Sequence, residues 1–209
     1  MVLQIGTTAL LVVLAIAIVL GILRTNRGPR KLHDLAARLA ARLGGRVTRG
    51  PWGRPVVQIA RGPIWLRIEW WRGQLGRNRR GPVTWITLGP IDPRAAPAYP
   101  EFLAVGRQRS GYETEVDLEH TDVRLGDPAT DLALRIHAND PAALAAFLGP
   151  AARARMVANP EWETSAYIEG SSDEEDPAVS LLRVSIPGHI DDEAQLESAL
   201  TLLGNLARR

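Results

Sequence analysis

The chain has 209 residues, enough for one domain of ordinary size plus a further segment. It contains no cysteine, which excludes a disulfide framework and thiolate chemistry. The net charge is only +2, but it is unevenly divided: residues 24–112 hold 18 Lys and Arg against 4 Asp and Glu, and residues 113–209 hold 7 against 19. Halves of opposite sign can neutralise one another within one fold, or mark contact with a polyanion or a membrane surface.

Val2 to Leu23 carries no charge, and Gln4 is its only strongly polar side chain. Its 22 residues reach about 33 Å as a helix, the thickness of a hydrocarbon core. A cleaved signal peptide would need a basic start, a shorter apolar run and a small-x-small site after it. No Lys or Arg precedes this run, and Ala15-Ile16-Ala17 lies inside it. The sequence thus predicts a transmembrane helix over 1–23, a basic juxtamembrane linker over 24–30 and an α+β domain over 31–209. Arg24, Arg27, Arg30 and Lys31 flank the span on its C-terminal side only. The positive-inside rule then puts a single-pass protein in the cell membrane, its N-terminus outside and its domain cytoplasmic.

Residues 30 to 43 read as a helix, with Leu32, Leu35, Ala36, Leu39, Ala40 and Leu43 on one face and Gly44-Gly45 as the stop. Strands follow at Arg46 to Arg49 and Arg54 to Ala60, around the turn "GPWG". Residues 63 to 89, "PIWLRIEWWRGQLGRNRRGPVTWITLG", hold four tryptophans and five arginines. Within them Pro63 to Trp71 alternates: Ile64, Leu66, Ile68 and Trp70 form a core face, and Trp65, Arg67, Glu69 and Trp71 an amphipathic one. A polar loop is expected over 72 to 81, then a strand from Val83 to Leu88, completing an antiparallel meander. The proline-rich stretch 89 to 100 reads as a connector between two candidate subdomains, 31–100 and 101–209.

The second half reads as strand, two helices, two strands and a helix. Leu132 to His137 is the strand, and Asp140-Pro141 caps the first helix. Gly149-Pro150 opens the second, which runs to about Ala158. Trp162 to Glu169 and Val179 to Ile186 make a hairpin around the acidic run Asp173 to Asp176. The last helix starts near Asp191 or Asp192, ends at Arg208-Arg209, and buries Leu196, Leu200 and Leu203. The fold class is therefore α+β: a transmembrane helix heading an antiparallel sheet with packed helices, as a helix–β-meander half and a β-α-α-β-β-α half.

No pair among His33, His120, His137 and His189 has metal-ligand spacing. His120 with Asp122, Asp127 and Asp131 is an acid-rich neighbourhood containing histidine, and its spacing matches no metal motif. There is no GxSxG, P-loop or GxGxxG. The sequence thus nominates no catalytic, cofactor or metal residue.

The segment Asp122 to Met156 resembles bacterial membrane-anchored proteins of unknown function with the pattern D-P-x-F-x-x-x-F-x-V-x-x-x-D-x-x-x-A-x-x-L-L-T-P. Asp127, Pro128, Ile136, Asp140, Ala145, Leu148 and Pro150 match, while Thr130 and Leu134 stand where that pattern has aromatics. The resemblance implies N-terminal hydrophobic helices and an α+β soluble region, and it carries over no catalytic residues and no mechanism.

The reading that follows is a non-enzymatic domain of unknown function that binds or scaffolds protein at the membrane. Its partners would be a lipid bilayer through residues 2–23 and a membrane-associated protein. The alternatives are engagement of anionic lipid headgroups by the basic half, with Arg72, Arg77, Arg79 and Arg80 as contacts, or an enzyme without a known motif. The absence of a nucleic-acid module and the acidic half argue against nucleic acid.

Overall fold

The computed structural model describes residues 31–75, 79–95, 98–107, 121–170, 178–190 and 192–208. Helix α1 covers 31–43. Its apolar stripe is buried at Leu32, Leu35, Ala36, Leu39 and Ala40. The period-3.6 spacing leaves one face for the core and the other for solvent. Strands β1 (Arg46–Arg49), β2 (Pro55–Arg61), β3 (Ile64–Leu75) and β4 (Arg79–Pro90) form the meander. The "GPWG" turn contains a 3₁₀ turn at Pro51–Gly53.

Three further elements follow the meander. They are β5 (Phe102–Gly106), β6 (Thr121–Asp122) and a short helix α2 (Pro128–Ala133). Then come β7 (Leu134–Ala138), α3 (Pro141–Phe147), α4 (Pro150–Ala158), β8 (Glu163–Glu169), β9 (Val179–Pro187) and α5 (Glu193–Ala207). Asp140 caps α3 as expected, accepting from the Ala142 and Ala143 amides at 3.0 and 2.9 Å. Asp192 caps α5 through the Ala194 amide at 2.9 Å, with Glu193 in the first turn.

All nine strands join one antiparallel sheet in the order β1-β2-β3-β4-β9-β8-β5-β7-β6. The β8–β9 hairpin sits between β4 and β5, so the two expected halves share a single sheet. One register row runs Val57, Ile68, Ile86, Val184, Thr164, Ala104, Ile136, and all of it is buried. Helices α1, α3, α4 and α5 cover this face and form one core with it. The basic and acidic halves also meet on the outside of that layer. Arg42 of α1 pairs with Glu193 at 2.9 Å and Glu197 at 3.0 Å on α5, and Arg38 reaches Glu193 at 3.6 Å. These pairs are solvated, so each contributes less than about 1 kcal/mol.

Three expectations need correction. No helix among the described residues is long and apolar enough to cross a membrane. The long helices α1 and α5 are amphipathic, and α5 has only 15 residues where a span needs about 20. This overturns the fold headed by a transmembrane helix and the single-pass localisation; the stretch 2–23 and the linker 24–30 lie outside the described residues. The loop at 72 to 81 is largely strand: β3 runs on to Leu75 and β4 begins at Arg79, with only 76–78 outside the described residues. The strand expected from Leu132 begins at Leu134, because Asp127 and Pro128 start α2 rather than a turn.

Candidate functional site

Alternation along β3 sends Trp65, Arg67, Glu69 and Trp71 to the sheet face away from the core helices. Trp85 and Thr87 of β4, Arg183 of β9 and Tyr167 of β8 share that face. The rings of Trp71 and Trp85 lie 5.1 Å apart, tilted by 34°. The Arg183 guanidinium carbon is 4.8 Å from the Trp85 ring centre and 4.5 Å from that of Tyr167. Arg183 Nε donates to Thr87 Oγ1 at 3.2 Å, which holds the plane in place. Trp65 faces Gly89 across the β3–β4 ladder. A Cβ at Gly89 would stand 2.6 Å from the Trp65 ring, so only glycine lets the indole lie across β4.

Glu69 is buried at 7% exposure. A buried carboxylate needs a compensating charge, and Arg67 Nη2 supplies it at 2.9 Å from Glu69 Oε1. The contact is an ion pair by distance but lacks hydrogen-bond geometry: Glu69 Oε1 and Arg67 Nε are both buried without a hydrogen-bond partner among the described residues. The Tyr167 hydroxyl oxygen is in the same condition. Burial pushes that hydroxyl up to about 12; Arg183 opposes the shift, and Glu169 and Glu69 add to it.

At the β1 edge this face opens into a cavity of about 700 Å³, lined by Gly44, Gly45, Arg46, Gln58, Trp65 and Arg67 among others. Arg46, Gln58 and Arg67 stand side by side in one register row. Arg46 Nε donates to Gln58 Oε1 at 3.2 Å, and its terminal nitrogens have no hydrogen-bond partner among the described residues. A Cβ at Gly45 would stand 2.6 Å from the Gln58 carbonyl oxygen, so the chain leaving α1 packs directly on β2. The wall thus combines two guanidiniums, an amide and an indole. Guanidinium forks match a carboxylate in two parallel hydrogen bonds, and the indole offers a flat apolar surface beside it.

Of the residues nominated from sequence, Arg24, Arg27, Arg30 and Arg77 lie outside the described residues, and Lys31, the first described residue, is in α1. Arg72, Arg79 and Arg80 fall in the hairpin ladder, opposite Pro82, Leu75 and Gln74. Arg72 is five positions from Arg67, about 17 Å along the strand, so that end of the hairpin is remote from the cavity. Arg46, Gln58, Trp65, Arg67, Tyr167 and Arg183 were not nominated. Alternation already placed Trp65 and Arg67 on the amphipathic face, and Arg183 is the one charge inside the apolar run "VSLLRVSI".

No group of three potential metal ligands is found among the described residues. His120 lies outside them. Asp127 and Asp131 serve local structure. Asp127 accepts from the Thr130 hydroxyl at 2.6 Å, which lowers its carboxyl below the usual range. Asp131 accepts from the Leu125 and Gly126 amides at 2.8 and 3.1 Å.

The chain matches no family model, no curated protein and no solved structure.

Proposed function

We propose that the chain is a non-enzymatic protein-binding domain that takes an acidic segment of a partner on the sheet face opposite the core helices. Arg67 and Arg46 bind the carboxylates, and Trp65 covers the apolar part of the adjoining residue. The observation that carries this reading is Arg67 Nε, a buried donor without an acceptor among the described residues, in the wall of an open cavity it shares with Arg46. A buried donor left unsatisfied costs about 1–3 kcal/mol, and a small shift of the Arg67 side chain, itself 40% exposed, lets an incoming carboxylate recover that cost. The tryptophan-lined face beyond it suits a peptide better than a small anion, because aromatic and arginine side chains anchor protein interfaces.

The test is a fluorescence titration of the full chain with a glutamate-rich peptide and its glutamine counterpart. Trp65 in the cavity wall reports the contact. The glutamate peptide binds saturably, more weakly as salt rises, and the glutamine peptide does not. Binding of anionic vesicles with no response to the peptide refutes the reading.

A further inference from the structure

A second cavity, of about 520 Å³, opens on the helix side of the sheet. It lies where the C-terminal ends of α1 and α5 meet the β2–β3 hairpin. Among the described residues, eight apolar ones packed against the core stay partly exposed, and five of them line this groove: Leu43, Ile64, Leu66, Leu200 and Ala207. Among the described residues the core is therefore open mainly at this point. Leu200 belongs to the stripe expected to be buried on α5, yet Leu196 and Leu203 on either side are fully buried and Leu200 is not. Gly204 lines the groove too, and a Cβ there would meet nothing within 4 Å. Glycine in mid-helix is unfavourable relative to alanine, so packing does not explain it, whereas an unfilled groove above it does.

Arg61 and Arg208 stand at the rim. Both are exposed, and neither side chain makes an ion pair or hydrogen bond among the described residues. Two helix C-termini at the groove contribute about half a negative charge each. Against two guanidiniums, the rim keeps a net charge of about +1. An apolar trough with one positive end is complementary to a single apolar chain with an anionic head. Its volume lies within the range of small-molecule sites.

We infer that this groove binds a long-chain carboxylate, with the hydrocarbon along Ile64, Leu66 and Leu200 and the head between Arg61 and Arg208. The inference is independent of the arginine–tryptophan face on the other side of the sheet.

The test is a calorimetric titration of the full chain with palmitate and with hexadecanol, each below its aggregation concentration. Palmitate binds at one site, and hexadecanol at least tenfold more weakly. Replacing both arginines, Arg61→Gln with Arg208→Gln, brings palmitate to the hexadecanol level. Gly204→Leu fills the trough and removes binding of both, with melting temperature and circular dichroism showing the variant folded. Equal binding of palmitate and hexadecanol, or palmitate binding untouched by Gly204→Leu and by the arginine pair, overturns the inference. So does failure of palmitate to bind where an acidic amphipathic peptide does. The arginine pair lies on the surface and tests the proposal even where Gly204→Leu does not fold.

Discussion

The guanidinium carbon of Arg183 stands 4.8 Å from the centre of the Trp85 ring, on the strand next to its own. Tyr167, on the strand flanking β9 at its other side, lies 4.5 Å away. A cation between two aromatic faces is held by both quadrupoles, at about 0.5–1 kcal/mol each when partly solvated. Arg183→Lys keeps the charge and loses the planar stacking. It is expected to lower stability by about 1 kcal/mol, read from the denaturant midpoint. A midpoint unchanged by Arg183→Lys would show that the stack contributes nothing.

Tyr167 gives this cluster a pH signature. Burial raises its hydroxyl from 10.0 to about 12, so the folded state holds the proton more tightly than the unfolded chain. The stability arising from that difference is whole below pH 10 and is lost as pH rises towards 12. An alkaline absorbance titration of the wild type should show an ionisation near 12 that Tyr167→Phe removes. The variant should also lose less stability across that window. A titration identical in the two proteins would contradict the burial.

Arg67 and Glu69 are coupled unequally. Glu69 is buried while the Arg67 side chain is 40% exposed. Removing Arg67 strands a buried carboxylate, whereas removing both does not. Arg67→Ala should destabilise by about 1–2 kcal/mol, discounted from the fully buried case for solvent screening. Arg67→Ala with Glu69→Val should recover most of the loss. A double variant no more stable than Arg67→Ala would show that the carboxylate is not the source of the cost.

Two glycines should respond in opposite directions. At Gly89 a Cβ would meet Leu181 at 2.5 Å and the Trp65 ring at 2.6 Å. Gly89→Ala should therefore cost about 1–3 kcal/mol through overpacking. At Gly204 the space is open, and Gly204→Ala should raise stability by about 0.5–1 kcal/mol through helix propensity. Thermal melts of the two variants decide the signs.

Much of the topology was legible where a local period could speak. The stripe of α1, the alternation of β3 and the caps at Asp140 and Asp192 are all present in the structure. What could not be read was non-local. "FLAVG" is a short apolar run with no alternation, and only its pairing with β7 and β8 makes it a central strand. The glycine- and arginine-rich stretch after Trp71 has loop composition, yet cross-strand pairing carries the ladder through it. For the same reason the candidate site was half visible. Trp65 and Arg67 were assigned to the amphipathic face, but their neighbours Arg46, Arg183 and Tyr167 come from β1, β9 and β8. The register, and no spacing in the sequence, brings them together.

The central claim is tested most directly by calorimetric titration of the glutamate-rich peptide into wild-type chain and into Arg46→Gln and Arg67→Lys. Both variants keep the ion-pair partner of Glu69, so folding is preserved while the carboxylate fork is lost. Binding of an acidic segment at this face predicts an affinity about tenfold lower in each variant, one hydrogen-bonded charge contact being about 1.4 kcal/mol or more, with unchanged melting temperatures. Equal affinity in all three proteins would contradict it.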